Sequence, residues 1–286
     1  MRRQKSFQND LTSLYLVATP IGNLSEMTPR AIEVLKSVSV IAAEDTRNTQ
    51  KLLQHFQIET RLISHHAYNE KESASGILKL LESGQNVALV SDAGYPLISD
   101  PGYQVVQAVL QAGYNVIPVS GSSAALNALV ASGLITQPFL FYGFLPNTEK
   151  DFRQTLNQLK AYPMTLIFYE APHRIKKTLA KMIPILGDRK AVIARELTKK
   201  FEEFLRGTLS ELAELDDELK GEIVLIVEGN GEPKPEVVDL SEINERIQAY
   251  IDTGISASQA IRQVAEESGL NKHDLYNAYH KTGDVS

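Results

Sequence analysis

The chain has 286 residues, 43% hydrophobic and 22% charged, which is enough apolar material for about two ordinary domain cores. It has no cysteine, which excludes disulfides, thiolate nucleophiles, iron–sulfur clusters and thiolate zinc sites, and its six scattered histidines suggest no metal centre. With 29 Lys and Arg against 35 Asp and Glu the net charge is −6, so a polyanionic partner would have to be met by a local basic patch.

Residues 1–12 read as a tail; no apolar run of signal-peptide length follows Met1-Arg2-Arg3. No stretch is long and apolar enough for a membrane helix, and a cytoplasmic protein with no membrane partner is expected. From Leu14 to about Leu134 short apolar runs alternate with amphipathic ones. Leu14–Ala18, Val38–Ala43, Arg61–Ser64, Val87–Val90 and Val116–Val119 predict strands. Pro29–Ser37, Thr46–Phe56, Lys71–Glu82 and Tyr103–Gln111 predict helices, the last with Val105, Val106, Val109 and Leu110 on one face. Apolar strands alternating with helices predict a parallel sheet covered on both sides.

Gly121–Gly133 predicts a further helix, and Pro138 a break. Beyond it, Phe139–Phe144, Met164–Tyr169, Ala191–Arg195, Phe201–Leu205 and Glu222–Val227 predict strands, with helices at Glu149–Ala161 and Arg174–Ile185. Several neighbouring strands are therefore joined without a helix, and the second sheet should be mixed. The expected organisation is an α/β domain over 13–120, a second over 121–229, a linker at 230–240 and a helical segment over 241–286. In that segment Ser256–Ser258 should cap a helix at Gln259–Glu267, Gly269 should end it, and a third helix should open at Leu270. The pattern fits either a helix-turn-helix module or a helical cap on the body.

Ligands of open α/β sheets bind beyond the carboxyl ends of the strands, and four loops there could carry chemistry. Thr19–Leu24 presents backbone around Pro20 and Gly22 but lacks the G-x-G-x-x-G dinucleotide fingerprint. Ser91–Gly102 contains Asp92, which has no helix to cap and so suits a ligand hydroxyl or amine, and Asp100, which suits a helix N-cap ahead of Pro101. Ser120–Ala125 offers small residues for close approach, or a plain N-cap at Ser122. Ala42–Arg47 offers Glu44 and Asp45 as bases beside Arg47, or else a cap at Asp45 or Thr46. In the second half, Tyr169–Arg174 and Arg195–Lys200 bring basic residues to strand ends, as an anionic substrate would require or as solvated faces.

The strings LYLVATPIGN (14–23), AEDTR (43–47), SDAGYPLISDPG (91–102), VSGSSAA (119–125), YEAPHR (169–174) and RELTKKFEE (195–203) occur in that order. Together they resemble the subgroup of the tetrapyrrole methylase superfamily that methylates the 2′-hydroxyl of a cytidine in small-subunit ribosomal RNA. The resemblance implies S-adenosylmethionine (SAM) as methyl donor, held in a cleft between two α/β domains, within a homodimer. By position it implies cofactor contacts from Pro20, Ile21, Ser91, Asp92, Ala93, Ser122, Ser123, Ala124, Glu170 and Leu197. It implies ribosomal RNA, within the small ribosomal subunit, as partner. No metal is implied.

Transfer to a ribose hydroxyl needs a proton acceptor, for which Glu44 or Asp45 is expected. Arg47, His173, Arg174, Lys199 and Lys200 are expected to hold phosphates or orient the ribose. The rivals are a methyltransferase of a porphyrinoid or protein side chain on the same fold, and a non-enzymatic nucleic-acid binder.

Overall fold

Strands apolar on both faces need helices on both sides, and the first half of the chain supplies them. The computed structural model describes residues 3–66, 70–216, 218–231, 240–268, 275–276 and 279. Five strands, β1 (Ser13–Val17), β2 (Val40–Ala43), β3 (Arg61–Ser64), β4 (Val87–Val90) and β5 (Asn115–Val119), form one sheet in the order β3-β2-β4-β1-β5, every pair parallel. Successive side chains in a strand point to opposite faces, and the packing follows. Ile41, Ala43, Ala88 and Val90 pack with Ala31, Leu35 and Leu53 from α1 (Pro29–Ser37) and α2 (Thr46–His55). Ala42, Val87 and Leu89 pack with Ile77, Leu81, Val105 and Val109 from α3 (Glu70–Glu82) and α4 (Tyr103–Ala112) on the other face.

The second sheet is mixed, as expected. Its strands are β6 (Phe139–Phe144), β7 (Thr165–Glu170), β8 (Lys190–Arg195), β9 (Glu203–Thr208) and β10 (Ile223–Val227), ordered β6-β7-β10-β8-β9. Only β6 and β7 run parallel; the other neighbours are antiparallel. One face packs on α5 (Ala124–Ser132) through Ala125, Ala128 and Leu129 against Ile167, Val192, Val224 and Ile226. The other packs on α6 (Glu149–Leu159), α7 (Ile175–Leu186) and α8 (Leu209–Ala213) through Leu156, Leu179, Met182 and Leu209 against Leu166, Phe168, Ile193 and Leu225.

Both sheets belong to one unit, Met1–Asn230; Gly231–Ser286 forms another. In the latter, α9 (Leu240–Asp252) and α10 (Ala257–Ser268) pack through Ile247, Ala260, Ile261 and Val264. Most of the expected linker, Gly269 and most of the third helix lie outside the described residues. No helix among the described residues is long and apolar enough to cross a membrane.

Some local expectations need correction. Asp100 caps no helix, because α4 starts only at Tyr103 behind Gly102, whose φ of 133° a side chain rarely adopts. Ser122 is not the cap of α5 either; that position is Ser123, without a side-chain bond, and the Ser122 hydroxyl donates to Glu26 Oε2 at 2.8 Å. The strand expected at Phe201 begins at Glu203, and α10 starts at Ala257 instead of Gln259. Helix α8 was missed, although Thr208 and Glu211 form a reciprocal capping box at its start.

Phe168 is fully buried at the centre of the second core. Phe168→Ala is expected to lower the unfolding free energy by about 3–5 kcal/mol, measured by urea denaturation with an unchanged m-value.

Candidate functional site

Loops leaving β1, β4 and β5 are stapled together at the carboxyl ends of the strands. Thr19 N donates to Gly94 O at 2.9 Å and Gly94 N to Thr19 O at 3.0 Å, a two-bond antiparallel bridge. Thr19 Oγ1 donates to Ser91 O at 3.1 Å, and Gly121 N donates to the Tyr95 hydroxyl at 3.1 Å. A Cβ on Gly121 would stand 2.7 Å from the Ala18 Cβ, so only glycine allows the β1 and β5 loops to meet.

These loops and the end of the second sheet enclose a cavity of about 360 Å³. Ile21, Ala93–Tyr95, Ile98–Asp100, Ser123 and Ala124 line it on one side. Phe144, Tyr169–Pro172, Leu197 and Gly221–Val224 line it on the other. Of the expected cofactor residues, Ile21, Ala93, Ser123, Ala124, Glu170 and Leu197 meet here. Pro20, Ser91 and Asp92 instead line a smaller cavity of about 240 Å³, with Asn48, Lys51 and Leu52 of α2. Ser122 is held by Glu26.

Four non-glycine residues at the larger cavity adopt positive φ: Leu97 (72°), Ser99 (69°), Glu196 (51°) and Thr198 (68°). Each pair brackets one wall residue, Ile98 and Leu197. Such conformations cost on the order of 1–3 kcal/mol each and persist only where surroundings enforce them. Around Leu197 the enforcement is visible. Glu196 N donates to Glu222 O at 3.0 Å, and Lys199 Nζ reaches both Glu196 Oε1 and Glu222 Oε2 at 2.8 Å. The stem of Lys199 lies on Gly22, where a Cβ would stand 2.5 Å from its Cγ.

The expected RNA contacts separate into two kinds. Lys199 and Arg174 have their charge met inside the chain. Arg174 donates to Glu170, to Asn147 and to Leu145 O, and the buried Glu170 also accepts from Ala171 N and from Thr178 Oγ1. His173 and Lys200 are exposed, with Lys200 Nζ 5.5 Å from the Phe201 ring.

Among the expected catalytic residues, Asp45 is the N-cap of α2 and accepts from Arg47 N at 2.8 Å and from its guanidinium at 2.9 Å. Those bonds to Arg47 hold its carboxyl down to about 2, a weak base. Glu44 is shifted the other way, upward, by burial and then by Asp92. Asp92 accepts from Asn48 Nδ2 at 3.1 Å. Asp100, read in the sequence as a cap, lines the larger cavity and is pushed up to about 6 by burial and then by Glu44.

A sequence profile described as Tetrapyrrole (Corrin/Porphyrin) Methylases matches residues 13–213. The chain belongs to this family. Tetrapyrrole methylase membership makes the protein a SAM-dependent methyltransferase. Similar chains include "Ribosomal RNA small subunit methyltransferase I" of Bacillus subtilis (strain 168), 48% identical over 98% of this chain and 99% of that one. The Halalkalibacterium halodurans protein of the same name is 51% identical over 98% and 100%.

Among solved structures, a diphthine synthase has a TM-score of 0.60 at 14% identity, covering 76% of this chain and 90% of that one. Uroporphyrin-III C-methyl transferase from Thermus thermophilus, complexed with S-adenosylhomocysteine (SAH), has a TM-score of 0.55 at 21% identity, covering 77% and 97%. Both likenesses bear out the tetrapyrrole methylase fold.

Sequence reasoning missed Tyr95, Ile98, Phe144 and Gly221–Val224 as cavity walls. The last group comes into place only because β10 pairs antiparallel with β7, setting Ile223 opposite Glu170. The Glu170–Arg174 pair closes across the turn between the end of β7 and the start of α7, a geometry that sequence spacing alone does not specify. Removing Arg174 leaves a buried carboxylate without its cation. Arg174→Ala is expected to destabilise the fold by about 3–5 kcal/mol, with part recovered in the Glu170→Gln/Arg174→Ala double variant in urea unfolding at neutral pH.

Proposed function

We propose that the protein methylates the 2′-hydroxyl of a cytidine in small-subunit (16S) ribosomal RNA, with SAM held in the larger cavity. One observation carries the reading: 48–51% identity, essentially end to end, to relatives named Ribosomal RNA small subunit methyltransferase I. The ribose oxygen of a cytidine as target rests on the six strings described above.

The cavity suits the cofactor. Ile21, Phe144, Tyr169, Leu197 and Val224 give apolar walls for a flat ring, while Asp100 and the backbone at Ala93–Tyr95 give polar partners. SAM supplies a methyl group already activated on a sulfonium. The chain's task is therefore to orient the hydroxyl and take its proton. Glu44 is the better acceptor, since burial and the neighbouring Asp92 raise its pKa and make it the stronger base, while Asp45 is committed to the α2 cap. As the ribose oxygen bonds to the methyl carbon, the carbon–sulfur bond would break to leave the neutral thioether SAH, and the hydroxyl proton would pass to Glu44.

Arg47 spends Nε and Nη2 on Asp45, leaving Nη1 for a phosphate. His173 and Lys200 are exposed for the same use. Because these cations are few, binding depends on local shape, and affinity for unrelated RNA is weak. The substrate puts the protein with ribosomes in the cytoplasm.

Tritiated SAM offered to small subunits and to stripped RNA tests this. Label is expected in alkali-resistant dinucleotides carrying cytidine, because 2′-O-methylation blocks alkaline cleavage. Label appearing instead on a porphyrinoid or a protein would sink the reading. Glu44→Gln is expected to lower kcat, measured at saturating SAM, at least about 100-fold, and Asp45→Asn far less. The wild-type rate should rise with pH as Glu44 ionises.

A homodimer is part of the same reading. Leu126 and Val130, one helical turn apart on α5, are exposed, as are Ile135 in the link that follows and Phe139 at the start of the edge strand β6, Val130 to 74% and Ile135 to 67%. Val130→Glu/Ile135→Glu is expected to convert a dimer to a monomer in light scattering.

A further inference from the structure

Asp100 has a place at the cavity and no task in the fold. It caps no helix, accepts from the Ser91 hydroxyl and lines the larger cavity between Ile98–Ser99 and the second sheet. Glu44 at the end of β2 and Asp92 beyond β4 stand close enough to repel it, Tyr169 of β7 is a further titratable neighbour, and Glu170 and Glu222 line the same cavity with their charges met by Arg174 and Lys199. Among the described residues, none of the three carboxylates forms an ion pair. Arg47 is held by Asp45 but also feels the charge of Asp92, Lys51 lines the smaller cavity with Asp92, and His66 and Asp45 are the further titratable neighbours of Glu44.

Like charges gathered beside a low-dielectric cavity raise the free energy of the empty site, and a cationic ligand relieves it. Sulfonium and thioether differ by one positive charge, so such a site separates methyl donor from spent product. We propose that Asp100, reinforced by Glu44 and Asp92, is the counter-charge with which this cavity favours the sulfonium cofactor over its neutral-sulfur product SAH. The proposal rests on SAM occupying the larger cavity. It gives the acidic cluster a role separate from proton abstraction: product loses the attraction that held the donor, and leaves.

Burial and its neighbours push Asp100 up to about 6. Below that value the carboxyl is protonated and the attraction is lost; above it the attraction is present. Calorimetric titration of the full-length protein with SAM and with SAH, without RNA, between about pH 5 and 7.5, tests the idea. SAM affinity in the wild type is expected to step upward about tenfold as pH rises through this range, while SAH affinity stays within about threefold.

Asp100→Asn should erase the step and cut the SAM-to-SAH preference about tenfold at the upper pH, with SAH affinity kept. Glu44→Gln should move the step to lower pH, because one repelling charge is gone. A folded Asp100→Asn protein with the wild-type preference and step overturns the proposal. So does a step that stays in place in Glu44→Gln, which decides the matter if Asp100→Asn fails to fold. A wild type that binds neither ligand overturns the cofactor placement itself, an outcome distinct from both.

Discussion

Two backbone hydrogen bonds between Thr19 and Gly94 organise the site. β1 and β4 are neighbours in a parallel sheet, and their following loops would ordinarily diverge. The bridge turns them into a short antiparallel ladder. Ile21, Ala93 and Gly94 then face one cavity, and Pro20, Gly22, Ser91 and Asp92 face the other. The partition is only as wide as two loop backbones. Gly121 brings the β5 loop against it, and strained backbone at Leu97, Ser99, Glu196 and Thr198 presents Ile98 and Leu197 as walls. That strain is tolerable because two large cores and a network of loop bonds hold the frame around it.

Charge is arranged with the same economy. Of the basic residues near the strand ends, Arg174 and Lys199 are neutralised by Glu170, Glu196 and Glu222. Among the described residues Asp100 in the larger cavity, Asp92 in the smaller one and Glu44 near both form no ion pair. A site acidic within and modestly basic at its rim fits a cationic small molecule combined with an anionic polymer.

The fold was legible where burial dictates residue type. β2 and β4 are buried on both faces and read as continuous apolar runs, so their parallel pairing could be inferred. The loops that line the two cavities were legible because glycine, proline and aspartate are dense at strand ends. Asp100 was misread because Asp-Pro is a common helix opening, whereas here Gly102 begins the helix two residues later. The Glu222–Val224 wall was not legible, since it depends on which strands pair across some fifty residues. Lys199 and Arg174 read as phosphate ligands because a lone sequence shows a cation's sign but not the carboxylate that folds against it.

Ile21 has a further consequence. It belongs to a loop of the first sheet, yet it packs in the hydrophobic cluster of the second with Leu197, Val192 and Val224. The seam between the two halves and the wall of the cavity are thus one surface. Prising the halves apart would expose that apolar seam to water, which opposes their separation. A molecule lodged there acts as a rivet. Its binding free energy is shared by both sheets and stabilises them as a single cooperative body.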